Sequence, residues 1–243
     1  LVAGVAGGVA WAAIPAWLRT RFNANEILTS LMLVYVATLV LSLLVHDAWR
    51  DPEGFNFPHS KLFTESALYP TLLEGTRLNL GFPIALAVVA AGWVFMQKSF
   101  TGYQMRVAGL APAAAHYAGI SAPRTVWLAM LIGGGCAGLA GVGEVAGPLG
   151  QLQPSVSPGY GFAAIIVAFV GRLHPVGIVF ASLLMSLLYL GGESAQLNLA
   201  LPSAVTGLFQ GTLLFFLLAA DVFIHYRLRR AHAVVPAHSS QVI

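Results

Sequence analysis

Long uncharged runs of apolar residues alternate with short polar connections along the chain. A helix needs about 20 apolar residues to cross the roughly 30 Å of hydrocarbon in a bilayer. The uncharged runs near that length are residues 1–18, 27–45, 78–97, 125–143 and 203–220. The pattern therefore predicts an all-α fold, a polytopic transmembrane helical bundle.

A sixth apolar region, residues 159–192, is interrupted by a Gly-Arg-Leu-His-Pro sequence at 171–175. Each half is shorter than a full span, so the pattern predicts either two short tilted helices or a re-entrant hairpin. Both alternatives return the chain to the same side of the membrane. We interpret Arg172 and His174 as part of a cytoplasmic turn; because broken spans often build solute pathways, a pathway role is the alternative.

Charged connections predict the orientation, because Lys and Arg are enriched in short cytoplasmic loops. Residues 98–124 and the tail from 225 carry basic residues and no acid, whereas acids outnumber bases in the loop 46–77. We therefore expect the basic segments, including the C-terminus, to face the cytoplasm. The stretches expected outside are 46–77, 146–158 and 191–202.

The start of the chain bears on its domain organisation. Residue 1 is a Leu in the middle of an apolar stretch, without a signal-peptide pattern. We expect further spans to precede it. The organisation predicted is a transmembrane domain over 1–224 and a cytoplasmic basic tail over 225–243.

Composition agrees with a lipid environment. The chain is 58% hydrophobic and only 9% charged, with a mean hydropathy of +0.79, whereas soluble domains carry about 25% charged residues. The net charge of +3 would suit a nucleic-acid binder, but the basic residues lie at span ends and form no patch interleaved with aromatics. No nucleic-acid partner is expected. A single cysteine, Cys136, excludes an internal disulfide and a cysteine metal cluster.

The sequence contains no catalytic motif. It lacks the Gly-x-x-x-x-Gly-Lys-Ser/Thr phosphate loop, the Gly-x-Ser-x-Gly elbow and the His-Glu-x-x-His metal pair. Its histidines are scattered over span ends, loops and the tail. We therefore expect no catalytic residue, no metal ion and no cofactor, and no ATP hydrolysis by this chain.

Two carboxylates near span ends are candidates for a solute pathway. Glu144 lies about one turn inside the outer end of a glycine-rich span. A carboxylate is tolerated there if it faces a water-filled cavity or reaches the membrane interface. Glu193, which we place at the end of a half-helix in Gly-Gly-Glu-Ser, has the same two interpretations.

Small residues recur at a spacing of four, which lets membrane helices approach closely. The pairs are Gly134 with Gly138, Ala137 with Gly141, Gly143 with Gly147, and Gly4 with Gly8. This spacing predicts tight helix packing.

The basic connection 98–124 contains a predicted short helix over 112–118. Pro112 favours a helix start, the alanines after it favour the helix and Gly119 favours its end. We expect this helix either to dock a partner protein or to lie on the lipid surface.

Four segments resemble the permease subunits of ABC importers for ribose, other simple sugars and nucleosides, with the nucleoside type closest. The segments are NANEILTSLMLVYVA at 23–37, RVAGLAPAAAHYAGIS at 106–121, GYGFAAIIVAFVGRLHPVG at 159–177, and the GGES and Gln-Gly sequences within 191–221. They follow the family's order over nearly the whole chain. Four positions depart from the family's pattern. Ser30 and Val34 stand where the family commonly has Thr and Asn, and Ala111 and Ala113 stand where it commonly has Asn and Glu.

The resemblance implies roles for individual residues. Coupling to an ATPase is assigned to Arg106, Gly109, Pro112, Ala114, Ala115, Tyr117 and Gly119. The candidates for the translocation pathway are Glu144, Glu193, Asn25, Glu26 and Ser30. Asn25 and Glu26 begin their span on the cytoplasmic side, so a gate or a helix cap is the alternative for them.

The resemblance also implies an assembly in the bacterial inner membrane. Its parts are this permease, a second permease subunit that is identical or different, two ATPase domains and an extracytoplasmic solute-binding protein, working by alternating access. A branched-chain amino-acid ABC permease is the alternative within the class. An ion-coupled carrier would be expected to place several ionisable residues in mid-span, and a membrane scaffold would need no structured coupling loop.

Overall fold

The computed structural model describes residues 1–54, 57–73, 75–76, 78–200, 202 and 204–225. Within them, regular structure is helical and strand pairing is limited to isolated bridges. Five helices are long and apolar enough to cross a bilayer. The predicted all-α helical membrane fold is confirmed.

The chain divides into two compact units, Leu1–Gly159 and Tyr160–Ile243. In the first unit the helices are α1 (Val2–Phe22), α2 (Glu26–His46), α3 (Gly81–Lys98), α4 (Phe100–Leu110), α5 (Pro112–Tyr117) and α6 (Ala122–Glu144). In the second unit they are α7 (Tyr160–Val170), α8 (Pro175–Leu199) and α9 (Ala204–His225). The predicted tail lies, from residue 226, outside the described residues.

Helices α1 and α6 pack in antiparallel directions through their glycines. Gly4 lies against Gly138 and Val142, and Gly8 lies against Gly134 and Gly138. A β-carbon on Gly8 would overlap the Gly134 carbonyl oxygen. The predicted tight packing is confirmed for these two pairs, because the helices approach too closely for any side chain between them.

The other small residues of α6 behave differently. Gly133, Gly141 and Gly143 have open space where a β-carbon would stand. Gly147, three residues beyond the end of α6, lies against the side chain of Asn79. Only one face of α6 is therefore used for close packing among the described residues of the first unit. The spacing of four predicted the contact face without showing which pairs would use it.

A π-helical turn, Val145–Leu149, continues α6 beyond Glu144. It contains Pro148 and ends at Gly150, whose φ of 68° lies in the left-handed region that glycine adopts without strain. Proline has no N–H to donate, so the regular α-helical bonding cannot pass through this turn. Such π turns are rare and often occur at functional sites.

The connection between α2 and α3 folds over this π turn; we call its residues 57–73 the strap. Four hydrogen bonds of 2.9 Å fasten it: the N–H groups of Ser60, Phe63 and Tyr69 donate to the carbonyl oxygens of Leu152, Gly150 and Ala146, and the Leu152 N–H donates to the Ser60 hydroxyl. Ser60 is buried. The strap thus supplies donors to carbonyl groups that the end of the helix leaves without partners.

Helix α8 corrects the prediction for residues 159–192. We expected each half to be shorter than a span; α7 has 11 residues, but α8 has 25 and is long enough to cross. The Gly-Gly-Glu-Ser sequence lies inside α8 and does not end it. Gly192 is accommodated because α9 approaches so closely that a β-carbon there would overlap the Thr206 hydroxyl.

Candidate functional site

The predicted coupling helix is present as α5, Pro112–Tyr117. Pro112 is its first residue, where a missing N–H breaks no helical bond. Gly119, with a φ of 75°, follows its end in the left-handed conformation. The existence of the helix is confirmed, whereas its docking to an ATPase stays a prediction.

The two faces of α5 differ in exposure. Ala115 is only 4% exposed and packs inward, whereas Tyr117 is 92% exposed. Ala114 is also exposed. Apart from an edge contact with its neighbour His116, the Tyr117 ring has no ring partner among the described residues. The helix therefore presents an aromatic side chain on the surface, as a docking element would.

Helix α4 connects α5 to α3, and the sequence pattern did not predict it. Ser99 caps it by accepting a bond of 2.9 Å from the Gly102 N–H. Arg106 donates to the carbonyl oxygen of Met96 at 2.9 Å and so fastens α4 to the last turns of α3. Gly109 borders open space. Arg106 therefore holds the coupling segment in position.

Asn25, Glu26 and Ser30 lie at the start of α2. The Asn25 side-chain oxygen accepts from the Ile27 N–H at 2.9 Å and the Leu28 N–H at 3.4 Å, which is a helix cap. Glu26 forms an ion pair of 3.4 Å with Arg19 of α1. The cap alternative for Asn25 is observed, and the pathway role of the three residues stays a prediction.

Glu144 is the last residue of α6 and is half-buried at the start of the π turn. It has an interaction partner within the protein. Because α1 and α6 are antiparallel, Glu144 and the start of α2 lie at opposite ends of this helix pair. The structure therefore does not bring these pathway candidates together.

Glu193 lies inside α8, with six further helical residues after it, and is exposed. The position differs from the helix end that the sequence suggested. Its neighbours Gly191 and Gly192 line a cavity of about 300 Å³ between α8 and α9, together with Gln196 and Thr206. Glu193 itself is not among the lining residues.

Several contacts escaped the sequence analysis. The Trp127 indole N–H donates to the Thr20 hydroxyl at 3.1 Å and ties α6 to α1 beyond the glycines. The strap and its Ser60 contact were also missed. Thr20 and Trp127 are 107 positions apart in the sequence. A pair so far apart leaves no local pattern, so no signal in the sequence marked it.

Nothing in the described residues points to metal chemistry, since no three His, Cys, Asp or Glu side chains gather in one place. The described features of the first unit are a closely packed helix pair, a strap held by hydrogen bonds and a short helix that presents an aromatic ring.

A family profile described as "Branched-chain amino acid transport system / permease component" matches residues 1–218. No solved structure matches the chain. The profile covers both compact units, from α1 into α9.

Three similar proteins are permeases of ABC transporters. The glucose ABC transporter permease protein TsgB13 of Haloferax volcanii is 35% identical over 93% of this chain. The nucleoside permease protein NupB of Lactococcus lactis is 28% identical over 99% of it, and the guanosine permease protein NupP of Bacillus subtilis is 28% identical over 89%. The chain spans 62%, 68% and 63% of their respective lengths.

Proposed function

Because this chain is a multi-pass membrane protein of the family described as the permease component of branched-chain amino acid transport systems, we propose that it is the membrane-spanning permease subunit of an ABC importer for nucleosides or simple sugars. The observation that carries the proposal is the similarity of the chain to permease proteins of glucose, nucleoside and guanosine ABC transporters.

The helices in and around the basic segment 98–124 support a subunit that is driven by a separate protein outside the bilayer. Helices α3, α4, α5 and α6 follow one another within residues 81–144, and α5 stands out from them with its exposed Tyr117. A separate ATPase subunit that binds α5 would move α4 and α6 with it, because one residue links α4 to α5 and four residues link α5 to α6. Arg106 would pass the movement on to α3, to which it fastens α4. ATP hydrolysis belongs to that partner.

The complete transporter has further parts in this proposal. They are a second permease subunit, two ATPase domains and an extracytoplasmic solute-binding protein that delivers the solute. The basic segments 98–124 and 225–243 face the cytoplasm of the cell, because each carries Lys or Arg residues close to the end of a span. The strap then faces outward, where the solute-binding protein docks.

A branched-chain amino-acid permease is the second candidate, since the family description itself names that solute class. The two candidates share a fold and differ only in the lining of the pathway. Residues proposed for that lining, such as Glu144, accept hydrogen bonds. Hydroxylated solutes donate strong hydrogen bonds to carboxylates, which favours nucleosides or sugars.

Uptake by the reconstituted transporter tests the proposal. The permease is purified with an ABC ATPase subunit from the same organism and placed in liposomes. ATP is enclosed in the lumen, which corresponds to the cytoplasm. We expect ATP-dependent accumulation of a labelled nucleoside or of glucose when the matching binding protein is added. Accumulation of leucine alone would favour the second candidate, and uptake without ATP would exclude both.

A further inference from the structure

The turn between α7 and α8 holds two consecutive residues in an unusual backbone conformation. Arg172 has a φ of 52° and Leu173 has a φ of 55°. Residues with a β-carbon rarely adopt this left-handed region, because it strains their backbone. Glycine or asparagine would normally occupy these positions.

The turn is rigid and fully bonded. The Arg172 N–H donates to the Phe169 carbonyl at 3.0 Å and the Leu173 N–H to the Ala168 carbonyl at 3.0 Å, which is the bonding of a Schellman helix end. Gly171 and Gly177 bring α7 and α8 into contact, since a β-carbon on Gly177 would overlap the Gly171 carbonyl oxygen. The corner therefore has one defined shape.

The strained residues gain nothing from the rest of their own unit. Leu173 is 74% exposed, and the exposed Arg172 side chain makes no hydrogen bond or ion pair with any described residue. A glycine would remove the strain and lose only these two projecting side chains. A contact beyond this unit would account for their presence.

The charge of the turn indicates on which side of the membrane it lies and which kind of partner it contacts. The turn carries Arg172 and His174 and no acid, like the segment 98–124 that holds α5. Helix α8 is long enough to cross the membrane, so its two ends lie on opposite sides. A fluid lipid surface needs no fixed corner, whereas a protein surface with an apolar pocket and acidic rim needs one.

We propose that the Arg172–Leu173 corner is a second docking point for the ATPase subunit, separate from α5, with Leu173 inserted into an apolar pocket and Arg172 facing acidic side chains. This inference rests on the proposed function, because it needs an ATPase partner.

Site-directed photo-crosslinking of the assembled transporter tests this directly. In a Cys136→Ala background, Leu173→Cys is labelled with a benzophenone maleimide and illuminated in membranes that hold the ATPase subunit. Tyr117→Cys on α5 is the reference for the first docking point, and Leu197→Cys, which is 79% exposed near the other end of α8, is the reference for the opposite side. We expect crosslinks to the ATPase from positions 117 and 173 and none from 197.

Each other outcome contradicts a specific statement. Crosslinks from position 117 alone, or from position 173 to lipid alone, overturn the second docking point and leave the proposed function standing. Absence of ATPase crosslinks from both positions overturns the docking point and counts against the proposed function as well.

A binding measurement adds the energetic test. Leu173→Gly relieves strain while removing the side chain, and Ala200→Gly does the same at another left-handed residue, with φ 51°. We expect Leu173→Gly to weaken ATPase binding about tenfold, as for a hydrophobic anchor worth about 1.4 kcal/mol, with an unfolding midpoint no lower than that of the wild-type protein. Ala200→Gly should bind normally. Equal binding by Leu173→Gly and the wild-type protein would overturn the proposal.

Discussion

At Gly8 and Gly138 the absence of a β-carbon sets how closely α1 and α6 approach. The open positions on the same helices, such as Gly7 and Gly141, show that not every glycine has this role. The effect of a methyl group therefore depends on the face of the helix where it is added.

Gly8→Ala should destabilise the protein by about 1–3 kcal/mol, because overpacking a close contact forces the backbones apart. The added carbon would overlap the Gly134 carbonyl oxygen, which cannot rotate away as a side chain can. The unfolding midpoint of purified protein in detergent measures the loss. Gly7→Ala is the matched control, since it adds the same methyl group in open space on the same helix and should not lower the midpoint.

Glu144→Gln should lower solute uptake while leaving expression near the wild-type level. The substitution keeps the shape of the side chain and removes the charge, and a charged acceptor binds hydroxyl groups about twice as strongly as a neutral one. Initial uptake rates in liposomes provide the measurement. If Glu144→Gln and Glu144→Ala both transport at the wild-type rate, Glu144 anchors the helix at the interface and takes no part in the pathway.

Helix α5 is the element whose surface most clearly suggests a contact. Its Pro112 and Gly119 predicted both of its boundaries, because these residues restrict or permit backbone angles independently of their surroundings. Helix α4 was missed because its sequence is not apolar enough for a span, and because Pro112, directly after its C-cap Ala111, was interpreted only as the start of α5. Its capping residue Ser99 is the local signal that could have identified it.

Tyr117→Ala should reduce solute-stimulated ATP hydrolysis severalfold, as loss of an exposed aromatic anchor does at protein interfaces. Tyr117 is 92% exposed, so the substitution removes little packing within the chain. Tyr117→Phe keeps the ring and should restore most of the coupling. A normal rate of coupled hydrolysis in Tyr117→Ala would show that the ring is not part of the docking surface.

For most of the long helices, the sequence pattern was enough to predict the boundaries. The boundaries of α1, α2, α3 and α6 fall within a few residues of the predicted spans, because membrane insertion depends on summed hydropathy. The length of α8 was underestimated, since Gly-Gly-Glu-Ser looks like a break until Gly192 is seen against Thr206. The strap and the Thr20–Trp127 bond depend on tertiary contacts that hydropathy does not encode.

At the scale of the whole molecule, the orientation in the membrane remains a prediction from charge. In a Cys136→Ala background, Leu62→Cys in the strap should react with an impermeant maleimide on intact cells, and Leu110→Cys at the end of α4 should react only after permeabilisation. Both leucines are highly exposed, 75% and 82% respectively, so access is not limited by burial. The reverse labelling pattern would reverse the topology.

The antiparallel contact of α1 with α6 has a consequence for biosynthesis. The Thr20 and Trp127 side chains that close this pair are 107 positions apart, and ribosomes add about 5–20 residues per second. Helix α1 therefore waits roughly 5–20 seconds in the membrane with its glycine face uncovered before its partner is inserted. We expect chains truncated after Lys98 to be degraded faster in pulse-chase labelling than chains truncated after Gly159, because only the longer chain can cover that face. Quality-control proteases would then recognise the uncovered glycine face of a nascent chain, a surface that the finished protein conceals.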